Sequence, residues 1–363
     1  MNKPTVQDIF RCFYSAYLEK YSPSPEQAKV ARNILNCKTG AHGANVSVCE
    51  DCGAVQIHYN SCRNRCCPMC QAVPKEMWMD ARKEDVLDAP YFHLVFTVPD
   101  ILNPIIYNNQ KLLYDILYHA ASATISELTA DPKHLGADVG YICILHTWGS
   151  EMNFHPHIHT ILLGGGLTSK NEWKDNGTEF FLPIRAVSKS FRGKYIDELK
   201  HLWNTGQLEF HGTAEKYRNY YVFKDLLDSC YDTEWIPYCK KTFNGAQSVI
   251  DYLGKYTHRI AISNHRIICM DDGNVTFSVK DYRNKGQWKE LTLSGVEFIR
   301  RFLMHVPPKR FVRIRHYGLL CSRSKHKKLA LCRNLLGCQK YLSKLRGKEM
   351  PEILKQLYEI NIC

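Results

Sequence analysis

The sequence predicts an α+β fold in which an antiparallel sheet is covered by helices on one face. Two observations indicate the sheet: residues 91–98 form an apolar run that ends at Pro99, and two further strand-like runs occupy 141–147 and 155–163. The third observation is the helical spacing of leucine and isoleucine over 109–129. Because a strand, a helix and two more strands follow one another, we expect the central part of the chain to form one sheet-and-helix domain.

The rest of the chain supplies the flanking units and a few further elements. Ser24 and Gln27 give the second N-terminal helix an N-cap and a capping box. The expected units are an N-terminal helical segment (1–40), a cysteine-rich module (41–75), the central domain (88–285) and a basic, helix-rich C-terminal segment (290–363). The other predicted elements are helices at 190–204 and 244–259, a strand at 259–263 and a hairpin of 267–270 with 275–280, whereas 207–242 shows no clear period.

Composition narrows the class of protein. No apolar run approaches the roughly 20 residues of a membrane span, and the N-terminus lacks a signal-peptide layout, so we expect a cytoplasmic protein without a membrane partner. In a reducing compartment the 16 cysteines favour metal ligation over disulfides. The net charge of +12 is concentrated between 300 and 348, which holds fifteen Lys and Arg and no acidic residue. That segment indicates a polyanionic partner, the alternative being a solvated basic face.

The strand 155–163 carries three histidines at alternate positions and ends at a run of three glycines. Because side chains alternate between the faces of a strand, His155, His157 and His159 are expected to point the same way. Three imidazoles on one face can ligate a divalent cation or act as acid and base. The alternative is that one or two are ordinary hydrogen-bonded histidines, but strict period two in an otherwise Ile, Leu and Thr run favours a site.

The cysteine-rich module contains two C-x-x-C pairs, Cys49 with Cys52 and Cys67 with Cys70, fourteen residues apart. Each pair presents two thiolates to one ion, so two pairs complete a tetrahedral zinc site. Few apolar residues accompany them, and we therefore expect zinc binding to drive the folding of the module. Other residues could exchange with these ligands or build a second site, and they are His42, His58, Cys62 and Cys66.

A predicted helix over 244–259 carries Tyr252 and Tyr256 on one face, with Lys255 beside them. Such a pair more often packs in a core. The upstream histidines and the basic segment instead favour a tyrosine that attacks a DNA phosphodiester, with Lys255 stabilising the phenolate or balancing phosphate charge. A histidine-bound Mg²⁺ or Mn²⁺ would polarise the phosphate. The products would be a 5′-phosphotyrosine and a free 3′-hydroxyl, which can be rejoined without ATP. The chain accordingly has no G-x-x-x-x-G-K-[ST] phosphate loop.

Arg310, Arg313 and Arg315 alternate along a run that reads as a strand, which predicts a basic edge for DNA phosphates. Tyr317 is a candidate for stacking on unpaired bases. Two further DNA-binding candidates lie beside the tyrosines and the hairpin, and they are Arg259 and Arg283.

The chain resembles transposases of the IS91-type rolling-circle insertion sequences, which belong to the HUH endonucleases. His157-Ile158-His159 matches the His-hydrophobe-His signature of that superfamily. The family usually has a histidine where this chain has Cys66. The matching stretches follow the expected order and are 49–70 with the run 61–65, 92–99, 155–159, 252–259 and 310–320.

The resemblance implies nicking of single-stranded DNA at element ends, which could bear hairpins, and rolling-circle mobilisation in the bacterial nucleoid. Host helicase and replication proteins would unwind and copy the DNA. His157 and His159 would be metal ligands, with His155 or Gln247 as candidates for the third. Tyr252 and Tyr256 would be nucleophiles, either alternating or with one in a supporting role.

Two other functions are compatible with parts of the sequence. Residues 155–159 also fit the H-x-H-x-H pattern of histidine-triad nucleotide hydrolases, but Pro156 stands where a hydrophobic residue is expected, and that small fold has no use for a tyrosine helix. A DNA-binding regulator that has lost catalysis is the second alternative. The intact set of histidines and tyrosines disfavours it.

Overall fold

The structure is a computed structural model that describes residues 3–49, 52–175, 182–235, 238–243, 248–249, 252, 254, 260–281 and 286–358, with backbone alone for 239–243. Helices alternate with antiparallel strands along the chain, which confirms the predicted mixture of helix and antiparallel sheet. None of the helices within these ranges has the length and apolar composition needed to cross a membrane.

The second helix begins at the predicted start signal. Ser24 Oγ accepts a hydrogen bond from the backbone N–H of Gln27, whose side chain accepts one from the N–H of Ser24, so the predicted capping box is confirmed. The described helices are α1 (Val6–Lys20), α2 (Pro25–Asn36), α3 (Ala72–Lys83), α4 (Asn103–Asn108), α5 (Gln110–Ala130), α6 (Ile184–Asn204), α7 (Tyr220–Asp232), α8 (Gly295–Met304), α9 (Lys325–Leu336) and α10 (Met350–Tyr358).

Most of the predicted strands are confirmed. The predicted strand at 259–263 is wrong over its described residues, because Ala261 has a left-handed backbone (φ 51°) that an extended strand excludes. The described strands are β1 (Ala44–Val48), β2 (Val55–Tyr59), β3 (Tyr91–Thr97), β4 (Asp138–Trp148), β5 (Phe154–Leu167), β6 (Trp173–Asp175), β7 (Tyr238–Phe243), β8 (Ile267–Asp271), β9 (Asn274–Asp281), β10 (Gln287–Ser294) and β11 (Ile314–Gly318).

A six-stranded sheet forms the centre of the molecule. Its order is β11-β4-β5-β3-β7, with β6 added to β5, and all of its pairs are antiparallel. The register places His146 of β4 opposite His157 of β5, and Val95 of β3 opposite His159. The pairing of the consecutive strands β4 and β5 therefore brings His146 beside His157 in the sheet.

Helices cover both faces of this sheet, whereas the sequence predicted helices on one. α5 and α6 pack on a first face, where they meet buried residues such as Leu94 and Cys143. The second face carries Ile144 and Ile161 and is covered in part by α3 and α9. Because cross-strand partners point to the same face, His159, the partner of Ile144, belongs to this second face.

A second core joins the N-terminal helices to residues between 260 and 306. α1 and α2 pack on α8 and share one buried cluster with Phe277 of β9 and Phe302 of α8. The smaller sheet β10-β9-β8 thus belongs with the N-terminal helices, across the boundary expected near 285–290. Cys67 and Trp148 also join this cluster, which links the cysteine-rich module to the end of β4.

Candidate active site

Three histidines meet on the second face of the central sheet, where β4 and β5 pair. His146 and His157 are cross-strand partners, and His159 lies two residues further along β5. One ring nitrogen of each lies within 4.8 Å of the others, and His157 Nε2 is 3.0 Å from His159 Nε2. These residues, the histidine group, can present three imidazole nitrogens to one divalent cation.

Burial keeps His157 and His159 in the neutral form that binds metals. It lowers the pKa of His157 to about 4 and that of His159 well below its usual value, with a smaller contribution from neighbouring histidines. His157 Nδ1 lies 2.7 Å from the backbone oxygen of His155, which can only accept, so Nδ1 carries the proton. The lone pair of His157 Nε2 is therefore directed at the group, and neutral imidazole is the ligating form.

His155 lies outside the histidine group although it shares its spacing along β5. Its Nδ1 is 3.0 Å from Asp100 Oδ1, in the turn that follows β3, and its side chain is 36% exposed. Gln247, the other residue expected to complete the metal site, lies outside the described residues. Within the described part of the chain, His146 occupies that third position.

Tyr252 extends from the tyrosine helix, whose described residues Ser248, Val249, Tyr252 and Gly254 are helical. Its hydroxyl lies 2.9 Å from Nδ1 of His159 and 2.6 Å from Nε2 of His93. His93 comes from β3, where burial lowers its pKa to about 4. A neutral His93 can accept the hydroxyl proton as a hydrogen bond, so the phenol oxygen is held beside the histidine group.

Four further predicted site residues belong to parts of the chain beyond those described. They lie outside the described residues and are Lys255, Tyr256, Arg259 and Arg283. His93 was missed by the sequence analysis. It lies in the predicted strand 91–98, but a single histidine among apolar residues carries no signal of function by itself.

The tyrosine helix packs tightly against α3. A side-chain carbon added to Gly254 would lie only 2.1 Å from Met79 Sδ of α3, so the end of that methionine side chain would have to move to admit it. Val249 is buried in the same cluster as residues of α3. Because α3 begins two residues after Cys70, the helix that presents Tyr252 rests on the segment that leaves the cysteine-rich module.

Four cysteines form a second candidate metal site, the cysteine cluster: Cys37, Cys62, Cys67 and Cys70. Their sulfurs lie within 4.8 Å of one another, and Cys62 Sγ is 3.8 Å from Cys70 Sγ. Tetrahedral zinc with Zn–S bonds of about 2.3 Å requires sulfurs about 3.8 Å apart. Cys37 ends α2 and is held by Gln7, whose side-chain amide donates to its carbonyl oxygen at 2.8 Å.

The cluster differs from the predicted set of zinc ligands, which joined Cys67 and Cys70 to Cys49 and Cys52. The latter two flank the turn of the β1–β2 hairpin, and Cys37 and Cys62 flank its open end. The hairpin has five residue pairs, so at the usual rise per residue its turn lies roughly 14 Å from its open end. Three of the possible additional ligands lie outside the cluster among the described residues, and they are His42, His58 and Cys66.

Arg313 and Arg315, two residues of the predicted basic edge, pack against side chains of the protein. The Arg313 guanidinium lies over the Trp148 ring, 5.6 Å from its centroid. Arg315 lies 4.0 Å from the centroid of the Tyr118 ring and pairs with Asp115 at 2.5 Å. Both guanidiniums therefore have partners within the fold.

The two other DNA-binding candidates of this segment, Tyr317 and Arg310, differ in how far they are exposed to solvent. Tyr317 is half-buried and stacks on Tyr141, with ring centroids 5.2 Å apart, so its face is already occupied. Arg310 is exposed in the loop after α8.

The candidate centres lie within two regions that match known protein families. The model of the family described as "Putative transposase" matches residues 140–328, which include the histidine group and Tyr252. The model described as "Transposase zinc-binding domain", of IS91 elements, matches residues 9–98, which include the cysteine cluster.

Two curated relatives match most of the chain. The putative transposase y4qJ of Sinorhizobium fredii is 41% identical over 336 residues, covering 92% of this chain and 84% of the relative. The transposase for insertion sequence element IS801 of Pseudomonas savastanoi pv. phaseolicola is 30% identical over 302 residues, covering 82% of this chain and 71% of the relative. No solved structure matches.

Proposed function

This chain belongs to the IS91 family of transposases, and on that premise we propose that it cuts and rejoins single-stranded DNA through a 5′-phosphotyrosine intermediate. The observation that carries the proposal is the convergence of Tyr252 on the histidine group, with its hydroxyl 2.9 Å from His159 Nδ1. A nucleophile and a set of metal-ligating nitrogens at such a distance suit phosphoryl transfer. Family membership also leaves the histidine-triad hydrolase without support.

The donor set of the histidine group fits a divalent cation. The nitrogens are close together, burial favours the neutral form of His157 and His159, and all three residues come from two neighbouring strands whose ladder fixes their spacing. His146, His157 and His159 would hold the cation. A bound Mg²⁺ or Mn²⁺ would polarise the scissile phosphate and stabilise its developing charge. Because imidazole is a softer ligand than carboxylate, we expect Mn²⁺ to serve at lower concentration than Mg²⁺.

The protein residues carry the covalent step. Tyr252 Oη gives up its proton and attacks the phosphorus, the bond from phosphorus to the 3′-oxygen breaks, and the 3′-oxygen takes up a proton and leaves as a hydroxyl. Attack by a 3′-hydroxyl on the phosphotyrosine reverses the step and rejoins DNA. His93 holds the phenol in place through the 2.6 Å contact. Tyr256 would be a second nucleophile and Lys255 a charge-balancing residue, so one protein could cut twice in a rolling-circle cycle.

The wider setting follows from this chemistry. The substrate would be the single-stranded end of an insertion sequence, with or without a hairpin, and unwinding would depend on a host helicase and the replication machinery. The zinc-binding match and the four-cysteine geometry support structural Zn²⁺ in the N-terminal module.

A covalent-capture assay tests the proposal. Purified protein, Mn²⁺ and a single-stranded oligonucleotide of the element end are resolved on a denaturing gel. We expect a metal-dependent adduct that disappears in the double variant Tyr252→Phe/Tyr256→Phe and in His157→Ala/His159→Ala. The single tyrosine variants show which hydroxyl attacks. Tyr221→Phe, at an exposed position of α7, is the control and should form the adduct normally.

Two results would reject the mechanism. One is an adduct that persists in the double tyrosine variant. The other is tight binding of the wild-type protein to the oligonucleotide without any adduct, which would favour a regulator that binds DNA without cutting it.

A further inference from the structure

A groove lies beside the cysteine cluster, and Cys62 is among the residues that line it. Its walls are α2, the segment 62–66 of the cysteine-rich module and the loop 306–310 that follows α8, and its volume is about 570 Å³. We call it the cationic groove because five basic residues line it, against the single carboxylate of Glu26. They are Lys29, Arg63, Arg65, Lys309 and Arg310.

The charges of the groove are available to a ligand. All five basic side chains are exposed, and no carboxylate of a described residue pairs with any of them. Basic side chains elsewhere are often paired, as Arg315 is with Asp115 and Lys328 is with Asp138. Concentrated, unpaired positive charge in a concave surface attracts a polyanion.

The backbone holds two of these arginines in an unusual conformation. Arg63 has φ 52° and Arg310 has φ 57°, which is the left-handed region that non-glycine residues rarely adopt. They lie on opposite walls of the groove, and Arg65 ties those walls together by donating to Phe311 O at 2.6 Å and to Pro308 O at 3.4 Å. Strained backbone of this kind persists where surrounding contacts fix it, often at binding sites.

The cationic groove leads toward the candidate nucleophile. A second cavity, of about 390 Å³, shares Arg65 and Cys66 with the groove and extends along α3 to Gly254. Gly254 is two residues from Tyr252 on the tyrosine helix. A strand bound in the groove could therefore continue past the cysteine cluster to the helix that carries the nucleophile.

We propose that the cationic groove binds the sugar–phosphate backbone of the single DNA strand that is presented to Tyr252. The inference rests on the proposed function for its substrate, and the groove supplies the contacts. No aromatic side chain is among the described residues that line it, so the contacts would be made to phosphates and not by base stacking. Binding through phosphates is independent of sequence and weakens as salt rises.

The test replaces four groove cations while leaving the brace Arg65 intact. The groove variant is Lys29→Gln/Arg63→Gln/Lys309→Gln/Arg310→Gln. A control variant removes four exposed cations from positions away from the groove and is Lys133→Gln/Arg185→Gln/Lys189→Gln/Lys200→Gln. Both lose the same net charge, so a difference between them reports position and not total charge.

Binding is measured by fluorescence anisotropy with a labelled oligothymidine over a range of salt concentrations. We expect the groove variant to bind at least tenfold more weakly at low salt. The slope of its plot of log K against log salt concentration should be smaller in magnitude by about 2 to 3. Each phosphate contact on a single strand contributes roughly 0.7 to that slope, and the variant removes four cations. The control should match wild type within about twofold. Thermal melting and zinc content establish that each variant is folded.

The outcomes distinguish failure of the groove as a DNA-binding surface from failure of the proposed cleavage reaction. Unchanged affinity and salt slope in the groove variant, or an equal loss in the control, would overturn the groove as the binding surface. A selective loss for duplex but not for single strands would overturn the choice of ligand. If the groove variant loses affinity but wild type forms no tyrosine adduct, the groove stands and the proposed function falls. An adduct formed by the groove variant at saturating oligonucleotide supports both.

Discussion

The histidine group and the cysteine cluster are both candidate metal sites, but the fold builds them differently. The histidine group lies on two paired strands inside a sheet whose cores are extensive on both faces. The cysteine cluster joins a loop to the end of α2, beside a hairpin whose valines and isoleucine are largely exposed. We therefore expect the sheet to hold its histidines without metal and the cysteine-rich module to need a bound ion for its structure.

The largest effect is expected from removing a zinc ligand. Cys37→Ser should abolish stoichiometric zinc binding at the cluster and unfold the module, since structural zinc contributes on the order of 10 kcal/mol or more to such folds. Zinc content by elemental analysis and thermal melting are the measurements. Far-ultraviolet circular dichroism should still report the central sheet, because its core does not include the cluster.

Cys49→Ser is the matched comparison, because it changes a cysteine that the sequence pattern assigned to the same site. We expect this variant to retain one tightly bound zinc at the cluster. If instead Cys37→Ser keeps that zinc and Cys49→Ser loses it, the ligands are the two C-x-x-C pairs, and the arrangement around Cys37 is wrong.

The next effect concerns the third nitrogen of the histidine group. His146→Ala should raise the Mn²⁺ concentration needed for half-maximal adduct formation by at least about 100-fold. Loss of a direct metal ligand should reduce metal affinity by more than the 10–100-fold typical of a residue that only supports a ligand. His155→Ala should change it only a few-fold, since its imidazole faces Asp100. Titration of adduct yield with Mn²⁺ separates the two variants. The reverse ranking would place the third ligand at His155.

The elements that carry these residues could largely be predicted, because hydrophobic period and capping are local. The predicted helix at 109–129 and strands at 91–98, 141–147 and 155–163 correspond to α5, β3, β4 and β5. The contacts between elements could not be predicted. His146 ends a predicted strand, but only the register of β4 on β5 places it opposite His157.

The same limit explains Cys37 and the arginines. Cys37 lies 25 residues before Cys62 and outside any C-x-x-C pair, so only the return of the chain past α2 reveals it as part of the cluster. Arg313 and Arg315 alternate as a phosphate-binding edge would, but aromatic rings of β4 and α5 lie beneath them. The alternation of side chains along a strand shows which residues share a face of the sheet. Whether that face is exposed to solvent depends on tertiary contacts, which the sequence pattern does not show.

The smallest effect tests whether the two regions are coupled through α3. Gly254→Ala would ordinarily stabilise a helix by about 1 kcal/mol, because alanine is the better helix former. Here the added carbon would lie 2.1 Å from Met79 Sδ, and overpacking of this kind costs about 1–3 kcal/mol. We therefore expect net destabilisation in thermal melting and slower adduct formation.

The sign of that change in stability decides whether the tyrosine helix rests on α3. The double variant Gly254→Ala/Met79→Ala tests the contact itself. Removing the methionine side chain leaves room for the new carbon, so the double variant should recover much of the adduct rate lost by Gly254→Ala alone, with a favourable coupling energy between the two sites. Met79→Ala alone measures the loss of methionine packing. If Gly254→Ala is stabilising and forms the adduct at the wild-type rate, the tyrosine helix does not rest on α3. The cysteine cluster and the nucleophile would then be independent parts of the molecule.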